Sequence, residues 1–244
     1  MPPVRSRETR QPEQGGPASG ERRGAQAEGV GHARSTALAG TLQFVGPAEY
    51  LSARVGPALA PLVGEGLRLR IQTGNRARIY AALDQGQADL AVTASKPDSR
   101  SLGFAELDRE RLTLVAAPDL AARAKGRTVS AGLLRDLPCL AYDEELALIG
   151  AFFVAVFGVP AALRPAATAP DLRILLGMAE AGMGWTILPD YLCAGALAAG
   201  RLAELPTDRA GPVNTLYLAW TRASLREART VHVRDMLLQR FQTA

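Results

Sequence analysis

Cysteine and histidine are nearly missing from this 244-residue sequence, which has two of each. Cys139 and Cys193 are far apart and form no CxxC, and His32 and His232 have no partner at ligand spacing. That argues against a disulfide framework and against a metal site, and makes both cysteines small buried apolar residues. Every apolar run is broken by polar residues, glycine or proline well short of the roughly 18–20 residues that a spanning helix needs, and no apolar stretch follows the N-terminus. The expectation is a soluble, cytoplasmic protein with no membrane partner. Catalytic signatures are missing too: there is no GxSxG, GxxxxGK[ST] or HExxH, and no GxGxxG follows a strand. Gly182-Met183-Gly184 closes a helix, which explains it better than phosphate binding. With no histidine poised as a general base, the sequence reads as a ligand-binding module without cofactor or metal, and not as an enzyme.

What is present is apolar content, 48% of the residues, enough for one large core or two small ones. The net charge of +4 comes almost wholly from arginines scattered among acids, so no basic patch marks a nucleic-acid surface. Residues 1–40 stand apart, with eleven Gly or Pro, six Arg and four Glu among them. Such a segment buries too little surface to offset its ordering entropy and is expected to be a solvated tail.

From Thr41 onward, strand-like and helix-like stretches alternate. A strand is expected at 42–46, then a helix opened by Pro47 whose Leu51, Val55, Leu59 and Leu62 share one face. Leu67, Leu69 and Ile71 alternate with Arg68, Arg70 and Gln72 as in a half-exposed strand. A helix over 76–85 closed by Gly86, a strand at 89–93 and a strand at 111–116 follow. The pattern then restarts: a short helix at 133–137, a strand at 139–142, a helix at 146–157, a strand at 164–168, a helix at 171–181 and a strand at 185–188. A late strand at 216–220 and a terminal helix over 225–241, with Leu225, Ala228, Leu238 and Phe241 on its buried side, return to the first half. The alternation implies an α/β fold of two Rossmann-like lobes, mostly parallel, with helices on both faces and a two-strand hinge. The expected division is residues 41–118 plus 213–244 in one lobe and 119–212 in the other.

Five segments in this order carry a resemblance: 46–50 (GPAEY), 80–86 (YAALDQG), 88–92 (ADLAV), 112–118 (LTLVAAP) and 175–192 (LLGMAEAGMGWTILPDYL). Together they resemble the effector-binding domain of LysR-type transcriptional regulators, itself similar to type 2 periplasmic solute-binding proteins. The resemblance covers about residues 41–244. It implies a small-molecule effector held between the lobes and subunits paired as a homodimer or homotetramer. Arg54, Leu51 and Val55 of the first helix and the terminal helix are the expected contact surfaces. The family also carries a winged helix-turn-helix, for which residues 1–40 are too short and too rich in Gly and Pro, so DNA binding is expected only if that module is present in the native full-length protein. The alternatives are a transport solute-binding protein, or an enzyme on a similar scaffold such as a deaminase or dehydratase.

Helix N-termini converging on a cleft offer unpaired N–H groups and partial positive charge to a carboxylate. By position, the expected ligand-binding residues are Pro47, Ala48 and Glu49 at the first helix, Asn75 and Arg76 at the second, and Thr93 and Ser95 after the third strand. The second lobe would add Tyr142, Asp143 and Glu144 before one helix and Thr168 and Asp171 before another. Glu49, facing the acidic run 143–145, favours an amino-acid-like effector over a dicarboxylate. Asn75, Arg76 or Thr93 would take its carboxylate, and Glu49 or Asp143 its amine. The 142–145 loop also looks like that of the family branch that senses basic amino acids.

Overall fold

The computed structural model describes residues 38–97, 100, 102–124 and 128–242. His32 and all but the last three residues of the expected tail lie outside the described residues. The chain begins with β1 (Gly40–Gly46), then α1, which runs through Ala48–Tyr50, a π turn at Leu51–Val55, and Gly56–Gly64. The π turn has a local cause. Pro57 has no N–H to give to Ala53, and the Gly56 N–H reaches back five residues to the Leu51 carbonyl. The expected apolar face of α1, Leu51, Val55, Leu59 and Leu62, is buried throughout.

Next come β2 (Leu67–Thr73), α2 (Arg76–Asp84), β3 (Leu90–Thr93) and β4 (Leu102–Ala116). The middle of the chain forms α3 (Pro118–Ala121), α4 (Ala131–Arg135), β5 (Leu140–Ala141), α5 (Ala147–Phe157) and β6 (Ala167–Thr168). It continues as α6 (Leu172–Glu180), β7 (Thr186–Pro189), α7 (Asp190–Ala198) and β8 (Ala203–Glu204), and the chain closes with β9 (Val213–Thr221) and α8 (Ala228–Gln242).

The strands of the first part lie in the order β2-β1-β3-β9-β4, the first three parallel and β9 antiparallel to both neighbours. β4 then runs on into the second part, where it pairs antiparallel with β7 and β8. Cys139 bridges Trp185 in parallel, and β5 pairs parallel with β6. The sheet is therefore more mixed than expected, because the two strands that cross between the lobes run antiparallel to each other. β4 also starts at Leu102 rather than Arg111. Its first half alternates poorly, and a bulge between Glu106 and Asp108 shifts the period. β2 is an edge strand, which leaves Ile71 45% exposed despite its place in the alternation.

Each part has a core on both faces of its sheet, set by the period-2 alternation of strand side chains. Phe44 of β1 packs under α1 and α8 with Tyr50, Leu218 and Leu237, whereas the adjacent Val45 faces α2 with Ile79 and Leu83. In the second part Leu114 and Ile187 face α5 and Trp185, while their neighbours Val115 and Leu188 face α6 and α7. Burying one such side chain contributes roughly 1.5–3 kcal/mol. The terminal helix buries Thr230, Val233 and Leu237; of the four residues expected there, Leu225, Leu238 and Phe241 are only partly covered and Ala228 is exposed. The expected helix started too early: Ser224–Arg226 is a separate 3-10 turn, so the helical phase begins at Ala228. Both cysteines are buried and free.

At the crossing the Leu112 N–H donates to the Pro212 carbonyl at 2.9 Å, and Gly211 lies directly against the Leu112 carbonyl and the Phe152 ring. A Cβ at Gly211 would overlap a backbone oxygen that cannot rotate away. Gly211→Ala is expected to destabilise the protein by about 2 kcal/mol in urea unfolding. Trp185 is fully buried and its indole N–H donates to the Leu134 carbonyl at 3.0 Å. Trp185→Phe strands that carbonyl and leaves a void, with an expected cost of about 2–3 kcal/mol by the same measurement.

Candidate functional site

The first turn of α1 and the start of α6 meet between the two parts of the molecule. Pro47 is the N-cap of α1, in an extended conformation, and its carbonyl accepts from Leu51 N–H at 3.0 Å. Glu49 follows in the first turn and is only 8% exposed. Opposite it, Asp171 caps α6, accepting the Arg173 N–H at 2.9 Å, and grips the Arg173 guanidinium with both oxygens, at 2.6 Å from Nη2. Arg173 thus holds the Asp171 carboxyl below its usual range. With Arg173 committed, Glu49 makes no ion pair among the described residues. Burial pushes its carboxyl up, its own backbone N–H opposes this, and the weaker effects of the Asp171 charge and of Arg173 raise and lower it in turn. Tyr142 belongs to the same neighbourhood: its phenol is pushed up by burial first, then by Glu49, Asp143 and Asp171.

Beneath Glu49, the strand crossing supplies a floor that the sequence did not suggest. Asp108 and Glu110 sit two residues apart on β4, hence on one face. Tyr50 Oη donates to Asp108 Oδ2 at 2.9 Å, and Asn214 Nδ2 of β9 donates to Glu110 Oε1 at 2.9 Å. Glu110 is 6% exposed. Burial pushes its carboxyl up to about 7, with Glu49, Asp108 and Asp190 adding to the rise and the Asn214 hydrogen bond opposing it. At the start of α7, the Tyr191 ring meets Tyr50 edge to face at 5.9 Å and lies under the Arg54 guanidinium at 5.2 Å. The Tyr191 hydroxyl is buried with no hydrogen-bond partner among the described residues. Burial, followed by the charges of Glu110 and Glu49, keeps this phenol well above its usual range.

The other expected residues fall elsewhere on the same boundary or away from it. Asn75 caps α2 by accepting the Arg78 N–H at 3.1 Å and is exposed, and Arg76 is exposed over the Tyr80 ring. Thr93 is buried and exchanges 3.3 Å hydrogen bonds with Ser95, whose carbonyl accepts from Tyr80 Oη at 3.0 Å. Asp143 accepts the Ala147 N–H at 3.2 Å just before α5, whose N-cap is Leu146; Glu144 and Thr168 are exposed, and Ala48 is half-buried. Leu51 and Val55, expected at a subunit contact, are spent in the chain's own core; Arg54 is exposed. Asp108, Glu110, Arg173, Asp190 and Tyr191 were missed. The available signal was the acidic spacing in 106–110, where the bulge between Glu106 and Asp108 breaks the strand alternation.

Among the described residues, no group of three or more His, Cys, Asp or Glu is arranged to hold a metal ion, and no helix is long and apolar enough to cross a membrane. The arrangement gathers several carboxyl groups near the boundary between the two parts, two of them, Glu49 and Glu110, buried.

Comparison with known proteins agrees with this architecture. The HTH-type transcriptional regulator AbaB of Streptomyces antibioticus is 36% identical over 184 residues, 73% of this chain and 61% of AbaB. The regulator ArgP of Aeromonas salmonicida is 27% identical over 150 residues, 61% of this chain and 50% of ArgP. The matched region thus spans half to three fifths of the length of these relatives. Among solved structures, the C-terminal domains of a LysR family protein from Agrobacterium tumefaciens superpose with a TM-score of 0.73 at 23% identity, covering 84% of this chain and 97% of that one. Full-length LysG of Corynebacterium glutamicum with bound effector Arg superposes at 0.65 and 22% identity, covering 88% and 73%. Both likenesses show the two-lobed fold. The family model of the LysR substrate binding domain matches residues 35–242, so the chain belongs to that family.

Proposed function

We propose that this chain is the ligand-sensing part of a LysR-type transcriptional regulator and that its effector is an amino-acid-like molecule bearing a positive charge. One observation carries the reading: Glu49, in the first turn of α1 where that turn meets α6, is buried and makes no ion pair among the described residues. An unpaired buried carboxylate is costly, and a cationic ligand is what would compensate it. The Arg effector of LysG, a protein of the same fold, supports the same ligand class.

In this reading Pro47, Ala48 and Glu49 present the first helix turn to the ligand, and Asp143, Glu144 and Tyr142 approach from the second lobe beside Thr168 and Asp171. Asn75, Arg76 or Thr93, with Ser95, takes the ligand carboxylate. The lobes divide as 41–118 plus 213–244 and 119–212. Binding favours the closed arrangement by its differential affinity for the two states, and closure alters how subunits pack in a homodimer or homotetramer. The domain does no bond chemistry, acts in the cytoplasm, and contributes to DNA control through a helix-turn-helix in the full-length regulator.

Calorimetric titration with arginine, lysine, glutamate and simple dicarboxylates tests this. Arginine or lysine is expected to bind, and Glu49→Gln to weaken that binding by at least about 2 kcal/mol, roughly thirtyfold. Tight dicarboxylate binding with no response to amino acids would refute the proposal.

A further inference from the structure

The return from the second lobe to the first leaves a gap beside β4. Two hydrogen bonds tie the return segment to that strand: the Leu205 N–H donates to the Leu114 carbonyl at 2.9 Å, and the Leu112 N–H donates to the Pro212 carbonyl at 2.9 Å. Between these ties a single residue of β4, Thr113, stands opposite residues 206–211, so the longer side has to bow away from the shorter. Compact loops whose ends lie close together are ordinarily packed by their own side chains. Here none of residues 206–211 is buried, and the bow stands over an open-mouthed cavity of 380 Å³.

The frame of this cavity is pinned on every side. The Pro206 carbonyl accepts from the Val129 N–H at 3.1 Å, and the Thr207 hydroxyl donates to the Arg209 carbonyl at 2.7 Å. Gly211 closes one end, because without a Cβ its backbone presses against both the Leu112 carbonyl and the Phe152 ring. Phe152, Leu112 and Leu205 are nearly inaccessible yet line the cavity, and they give it an apolar wall.

Charge is divided along its length. Arg111, Arg209 and Glu204 are the ionisable groups of the lining. The strand register sets Arg111 opposite Val213 and Glu204 opposite Val115, four residues apart along β4 and hence roughly 13 Å from each other. Arg209 is exposed and makes no ion pair among the described residues, and Arg111 approaches Asp190 only to 4.0 Å. Two arginines that are not firmly paired therefore share the lining with one acid, which sits at the far end from Arg111.

We propose that this cavity is a second ligand site, separate from the one around Glu49, and that it takes a small monocarboxylate with an apolar body. The body lies on Phe152 and Leu205, and the carboxylate reaches Arg209 and Arg111, whose guanidinium forks can each offer it paired hydrogen bonds. The volume is within the range of small-molecule pockets. Glu204 repels a second carboxylate at the opposite end, which favours a monocarboxylate over a dicarboxylate. A ligand in this position ties β4 to the return segment, the two stretches of chain that join the lobes. The inference does not depend on the cationic-effector reading.

Phenylacetate is the probe, with acetate and succinate as controls. Ligand-observed saturation-transfer NMR is expected to show saturable phenylacetate binding with a Kd of about 1 mM or tighter, and much weaker binding of both controls. At about ten times that Kd, phenylacetate is expected to raise the melting temperature by about 3–5 °C. Arg209→Ser alters an exposed side chain, so the ligand-free melting temperature should hold while phenylacetate affinity falls about tenfold. Ala210→Trp, placed at another exposed position of the lining, should fill the mouth and abolish binding. Glu49→Gln should leave phenylacetate binding unchanged. The proposal is overturned by the absence of saturable phenylacetate binding up to about 20 mM. Acetate binding as tightly as phenylacetate overturns it as well, as does an affinity that survives both Arg209→Ser and Ala210→Trp or is lost in Glu49→Gln.

Discussion

A single strand, β4, belongs to both halves of this molecule, and most of the structure depends on that sharing. Its first residues pair with β9 and its last with β7 and β8. The return segment crosses beside it, tied by the Leu112–Pro212 hydrogen bond and by the close approach of Gly211. Because strand side chains alternate, one continuous backbone feeds the cores on both faces of both sheets. The crossing also forces Asp108 and Glu110 to the place where the lobes meet, since they occupy the part of β4 that leads out of one sheet and into the next.

The site is an electrostatic consequence of this geometry. Helix α1 ends its first turn over the crossing, α6 and α7 open toward it, and each brings an acid in or near its first turn: Glu49, Asp171 and Asp190. Acids there serve as ordinary helix-terminus partners, and Asp171 does serve as a cap. What differs is that three such termini are gathered around a strand that adds two more carboxylates. Arg173 is spent on Asp171, and Arg54 lies over an aromatic ring.

Much of this was legible in the sequence. The buried face of α1, the glycine stop after α6 at Gly182 and the burial of the cysteines all follow from local spacing. Glu49 was singled out correctly as an acid in a helix's first turn. The early half of β4 was not legible, because a bulge breaks its alternation, and the buried side of α8 was displaced because the helix begins only after a 3-10 turn.

The sequence alone determined where strands and helices form and which side of most of them is apolar, because those properties depend on residues within a turn or two of each other. Only the tertiary structure decided that Glu110 would meet Asn214, 104 residues away. No local periodicity encodes such a meeting. It arises from the pairing of β4 with a late strand and from the packing of two lobes, and burial there raises the Glu110 carboxyl to about 7.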